Sequence, residues 1–142
     1  MAGKIQFPEG IEGMIFAKDK KRELKLGLEM LTNFSNKDDS YVAKGPYVSM
    51  VRLTGPVMTG QAFSARRVLP ELQKAFSDPK AKGVLLVINS GGGSPVQATI
   101  IHDKILQLKK KYHKKVVVIG QDVVASAAYL VATAADRIYV HK

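Results

Sequence analysis

Residues 83–142 read GVLLVINSGGGSPVQATIIHDKILQLKKKYHKKVVVIGQDVVASAAYLVATAADRIYVHK, and the order of patterns within them decides the fold. Val84-Leu85-Leu86-Val87-Ile88 is apolar at consecutive positions. A strand needs that when both its faces are buried, and such strands belong to parallel sheets covered by helices. Asn89 to Ser94 follows as a turn containing Gly91, Gly92 and Gly93. Ser94 then stands as an N-cap and Pro95 as the first helical residue, where proline's missing N–H costs nothing. Ile101, Ile105, Leu108 and Tyr112 recur at helical spacing. Val116 to Ile119 repeats the buried-strand pattern, Gly120 to Asp122 reads as a turn, Ala125 to Ala135 as a helix apolar nearly all round, and Arg137 to His141 as a last short strand.

Upstream of that stretch, Tyr47 to Leu53 reads as a strand closed by Thr54-Gly55-Pro56. Ser64 is placed to cap a helix with Val68, Leu72, Ala75 and Phe76 on one face. Pro70 leaves two arrangements open: a kinked helix, or one whose regular part begins at Pro70. Alternating strands and helices predict an α/β fold of repeated βαβ units, with a mostly parallel sheet flanked by helices. Met1 to Gly13 reads as an arm, and Leu24, Leu28, Leu31 and Phe34 mark an amphipathic helix that the polar Asn36 to Ser40 breaks. The expected division is residues 1–45 as arm and helix, and 46–142 as the core.

A chain of 142 residues holds one hydrophobic core. Without cysteine it has no disulfide, thiolate nucleophile or cysteine-based metal site, and neither metal nor cofactor is expected. The longest nearly apolar run, Val123 to Ala135, is shorter than the roughly 20 residues that span a bilayer, and residues 1–20 lack a signal-peptide core. The net charge of +10 gathers at Lys18 to Arg22 and at Lys104, Lys109, Lys110, Lys111, Lys114 and Lys115. The second group lies at a helix C-terminus, where the macrodipole favours cations. An anionic membrane surface is the partner this charge next suggests; no aromatic interleaving accompanies it to suggest nucleic acid.

Acyl transfer needs a nucleophile and amides aimed at the developing oxyanion. Parallel βαβ units put all their strand-to-helix turns at one sheet edge, so the glycine turn and Ser126 should meet there. Glycines let a carbonyl approach backbone N–H groups, and Ala125, Ala127 and Ala128 leave room around the Ser126 hydroxyl. Each feature also has a plain reading. A tight strand-to-helix turn needs glycine, and a helical serine often bonds a carbonyl one turn back.

Together, Asn89-Ser90-Gly91-Gly92-Gly93-Ser94, Asp122 to Ala132 with Ser126 within it, and Ala134-Ala135-Asp136-Arg137-Ile138 resemble the SppA-type signal peptide peptidases, serine proteases of the ClpP/crotonase fold. The resemblance runs from about Tyr47 to the end. It departs at Gly91, where the family usually has proline, and at Ala127-Ala128, where it usually has two glycines. It implies that Ser126 is the nucleophile and that Gly92 or Gly93, with Ala127, supplies oxyanion amides. It also implies cleavage of hydrophobic peptides such as remnant signal peptides, self-association, and a place at a bacterial membrane or cell envelope, the cytoplasm being the alternative.

The base in that family is a lysine downstream of the serine or in another half of the protein. Sixteen residues follow Ser126, and Lys142 is too near to match. The base is therefore expected from outside this chain, whose core should be incomplete at its C-terminus and whose membrane anchor is absent. His102, His113 and His141 have no ClpP-like relation to Ser126. Asp122 is expected to cap the serine's helix, and Asp136 to end that helix or pair with Arg137. Two other functions stay open: a catalytically silent scaffold, and a crotonase-like acyl-CoA enzyme.

Overall fold

The computed structural model describes residues 2–6 and 47–141. The expected helix over residues 18–34, the Lys18 to Arg22 cluster and Lys142 lie outside them. Within the described residues β1 (Ala2–Gln6), β2 (Tyr47–Thr54), β3 (Ala81–Ser90), β4 (Lys115–Val124) and β5 (Arg137–Val140) form one sheet in sequential order. Strands β2 to β5 are parallel, and β1 runs antiparallel to β2 with Ala2 opposite Val51. Part of the expected N-terminal arm is thus an edge strand. Its five residues carry too little periodicity to announce that pairing.

Helices α1 (Ala65–Ser77), α2 (Pro95–Tyr112) and α3 (Ala127–Ala132) connect the parallel strands. Val84, Leu86 and Ile88 of β3 join Leu72 and Phe76 of α1, Ile101 and Ile105 of α2, and Val131 of α3 in one buried cluster. Burying each such side chain stabilises the fold by about 1.5–3 kcal/mol. The intervening Leu85, Val87, Val117 and Ile119 point to the other face and are equally buried. That two-sided burial is why β3 and β4 are apolar at consecutive positions.

Helix α1 begins at Ala65 and runs through Pro70, so Pro70 does not open its regular part. Proline inside a helix costs about 3 kcal/mol. Complete burial of Leu72 and Phe76 offsets that, and Pro70 itself faces solvent. Ser64 occupies the N-cap position, but its hydroxyl donates to the Gln61 carbonyl at 2.8 Å. The Ala65 N–H instead donates to Gln97 Oε1 at 2.9 Å, which ties α1 to α2. Ser94 caps α2 as expected, accepting from the Gln97 N–H at 3.3 Å.

At the edge where the strands begin, the Tyr47 hydroxyl donates to Asp78 Oδ2 at 2.6 Å, and the Lys114 ammonium donates to the Asp78 carbonyl. Burial pulls the Lys114 ammonium below its ordinary value, partly opposed by the Asp78 charge. Asp136 neither pairs as expected nor simply ends a helix. Its Oδ2 accepts the Val116 N–H at 2.7 Å while its own N–H donates to the Val116 carbonyl at 2.8 Å. Lys109 and Lys115 lie 3.3 and 3.5 Å from its carboxylate. The chain returning to β5 is thereby stitched to the start of β4.

Burial works to raise the Asp136 carboxyl, but the Val116 N–H and the two lysines outweigh it and hold the group below its ordinary value. A depressed folded value means stability that is present above the unfolded carboxylate range and lost as pH falls through the folded value. Asp136→Asn should therefore flatten the acid limb of stability against pH in urea titrations. At neutral pH it should cost about 1 kcal/mol, because much of the site is solvated.

Candidate active site

Strand β4 does not end at Ile119. It continues through the predicted Gly120 to Asp122 turn as far as Val124, and α3 is correspondingly shorter than expected. From Ile88 to Ser90, β3 advances two residues; the partners on β4 run from Gly120 to Val124, an advance of four. The surplus bulges outward beside Asn89. Gly120 makes room for the return: a Cβ there would lie 2.8 Å from Val124 Cγ2 and 2.9 Å from Val140 Cγ1.

Asn89 is bonded on both sides. Its carbonyl accepts the Gly55 N–H at 3.1 Å from the turn after β2. Its side chain donates from Nδ2 to Asp122 Oδ2 at 2.8 Å and accepts the Val123 N–H on Oδ1 at 3.3 Å. Asp122 therefore does not cap the serine's helix. One residue on, the Ser90 carbonyl accepts the Ala125 N–H at 3.1 Å. These bonds deliver the chain to Ser126 at the edge where β2 and β3 also end.

Ser126 has φ 51° and ψ −127°, and with His113 it is one of two non-glycine residues at positive φ among the described residues. Such a backbone costs about 1–3 kcal/mol and persists only where its surroundings enforce it. The residue is exposed, and its hydroxyl caps no N–H of α3 and makes no hydrogen bond to another described residue. The reading of a buried helical serine bonded one turn back therefore does not hold. Its carbonyl accepts the Leu130 N–H at 3.1 Å, so α3 starts from this strained peptide.

Gly92 lies against that peptide. A Cβ on Gly92, whose φ is +102°, would come 2.7 Å from Ser126 Cβ, 2.8 Å from the Ala125 carbonyl oxygen and 3.0 Å from the Ala127 nitrogen. Gly93, at φ +149°, is packed against the Val57 backbone. Val57 brackets the loop, its N–H donating to the Gly92 carbonyl at 2.9 Å and its carbonyl accepting from the Ser94 N–H at 2.6 Å. The Gly92 N–H is turned inward to Ser90 Oγ at 3.1 Å. The Gly93 and Ala127 N–H groups donate to no described residue. The glycine turn and Ser126 thus meet, as their placement after neighbouring strands demands.

His102, His113 and Lys114 stand elsewhere. His102 Nδ1 lies 2.9 Å from Asp103 Oδ1 on α2, and His113 forms the left-handed C-cap of that helix. Lys114, the described lysine that burial disfavours as an ion, precedes β4 at the opposite end of the sheet from Ser126. Sequence reasoning did not find Val57, Ser90 or the Asn89–Asp122 pair. Val57 carried only the signal of following a Gly-Pro turn, and the two side-chain partners lie far apart along the chain.

The sequence profile of the Clp protease family matches residues 48–140, nearly the whole described core. The chain belongs to the Clp protease family. Among its relatives, this Clp-family chain is 41% identical over 82 residues to "Putative protease MJ0651" of Methanocaldococcus jannaschii, covering 58% of this chain and 26% of that protein. It is also 41% identical over 96 residues to proteins named Na(+)/H(+) antiporter NhaA from Brucella melitensis and Brucella abortus, covering 64% of this chain and 13% of each. The chain therefore spans a minor part of these relatives. Among solved structures it resembles ClpP1 from Listeria monocytogenes, at 30% identity and a TM-score of 0.49 over 61% of this chain and 46% of that one. The N165D mutant of the Listeria protein aligns at 25% identity and a TM-score of 0.49, over 65% of this chain and 55% of that chain. Among the described residues no helix is long and apolar enough to cross a membrane, and no cluster of three or more metal-ligating side chains occurs.

The contacts distinguish neighbouring glycines sharply. Gly92→Ala must shift the Ser126 backbone and should destabilise the protein by about 1–3 kcal/mol. Gly91 has open space around it, and Gly91→Ala should stay within about 0.5 kcal/mol of the parent in the same urea unfolding experiment.

Proposed function

We propose that this chain carries the nucleophile-bearing part of a serine peptidase, with Ser126 as nucleophile. The observation that supports it most is the exposed, unbonded Ser126 hydroxyl on a strained backbone, pressed against a glycine that no side chain can replace. Membership of the Clp protease family supports the same reaction class.

In this reading the Ser126 Oγ attacks the scissile carbonyl carbon as a base removes its proton. The carbonyl electrons move onto oxygen, and the free N–H groups of Gly93 and Ala127 receive that charge. Gly92 serves chiefly by leaving room, since its N–H is held by Ser90 Oγ. Collapse of the adduct expels the amine, which takes the proton from the base. Water then releases the acyl group by the same steps in reverse.

The finer assignment is to the SppA type. Its lysine base would come from outside this chain, neutral because it is desolvated. Hydrophobic peptides, including remnant signal peptides, are the proposed substrates. Copies of the chain associate with one another at or near a bacterial membrane, whose anionic surface suits the basic charge of the chain. The exposed Tyr129, Leu130 and Val123 beside Ser126 suit apolar substrate side chains.

Intact-mass measurement after a fluorophosphonate probe tests the reading, on this chain and on the longest product of its gene, with Ser126→Ala as control. The expected result is one added probe mass in the longer product, abolished by Ser126→Ala, and none in the short chain. Labelling of the short chain would place a base within it. Silence of both would favour a scaffold.

A further inference from the structure

The register break between β3 and β4 leaves Gln121, Asp122 and Val123 without partners in the ladder, just before β4 must aim Ser126. Two surplus residues separate the Ile88–Gly120 pair from the Ser90–Val124 pair, so no β3 backbone group stands opposite Asp122 and Val123 in register. The Asn89 side chain occupies that gap with one donor and one acceptor, as a backbone peptide would. Its own carbonyl is meanwhile fixed by the Gly55 N–H. A bulge held this way re-aims the chain beyond it, and such bulges recur beside active sites.

We propose that Asn89 is a positioning residue: its amide, paired with Asp122 and the Val123 N–H, sets where β4 delivers Ser126 against Gly92. The proposal rests on the nucleophile reading of Ser126 and assigns Asn89 no contact with substrate. Asparagine suits the role because it offers both polarities from one planar group. Aspartate at 89 loses the donor and sets a second carboxylate against Asp122. Moving the amide across the pair restores everything: with Asn89→Asp and Asp122→Asn together, the new amide at 122 donates to the carboxylate at 89, whose other oxygen still accepts the Val123 N–H.

The test uses the longest product of the gene, in parent, N89D, D122N and N89D/D122N forms. Two readouts are taken: saturation kinetics of fluorophosphonate labelling, and amide hydrogen exchange over Val123 to Ala127. N89D should lower the maximal labelling rate by about tenfold, the loss of one well-placed hydrogen bond. Its half-saturating probe concentration should change little, and exchange at Val123 and Ala125 should quicken. The double variant should recover to within about threefold of the parent on both readouts. A general loss of stability would instead lower the melting temperature and the labelled fraction, leaving the rate of the folded molecules unchanged. Parent-like labelling and exchange in N89D, or a double variant no better than N89D, would overturn the proposal. If the parent itself does not label, the nucleophile reading fails, and the exchange pattern of the four forms still decides whether the amide pair holds this backbone.

Discussion

The contact between the Gly92 backbone and the Ser126–Ala127 peptide is the constraint on which the rest of this edge depends. Any Cβ at Gly92 would lie closer to Ser126 than real Cβ atoms approach their neighbours. Two turns from two crossovers can come this near only if both strands are packed at full density beneath them. The wholly buried Leu86, Ile88, Val116 and Val118 supply that platform. Strain at Ser126 is therefore borne by burial elsewhere, since a φ of 51° would relax in an isolated segment.

Val57 completes the arrangement from the third turn. Its two backbone hydrogen bonds close on the Gly92 carbonyl and the Ser94 N–H, and so fix the peptide between them. With those groups bound and the Gly92 N–H held by Ser90, the Gly93 and Ala127 amides are among the described donors left open at this edge. The loop gains its selectivity of amides from what it has already satisfied. A glycine turn without Val57 would offer more donors and aim none of them.

How much of this was legible in the sequence depends on how far each interaction reaches. Val84 to Ile88 and Val116 to Ile119 announced buried parallel strands because burial on both faces leaves no polar alternation. Ser94-Pro95 announced the start of α2 because capping is a local matter. Meeting of the glycine turn and Ser126 followed from topology alone. Asp122 and Asp136 were misjudged for the same reason in each case: a carboxylate near a helix suggests a local cap, but their partners Asn89 and Val116 belong to other strands. The length of β4 was also hidden. Gly120 resembles a turn signal, and only the side chains of Val124 and Val140 folding over it show why a glycine is needed in mid-strand. Leu72 and Phe76 carried α1 through Pro70 because their burial exceeds what proline costs, a comparison that propensity does not make.

The site is also a matter of timing. A helix and a strand separate Val57 from Gly92, and another helix and strand separate Gly92 from Ser126, so no two of the three turns are neighbours along the chain. Parallel pairings of this kind close late, because the entropy of the intervening loops is lost before the contacts form. A partly folded or newly emerging chain thus has a serine without its strain, glycines without their neighbour and amides without their aim. The geometry of this edge is thus a late product of the connectivity itself, complete only when the whole sheet has closed.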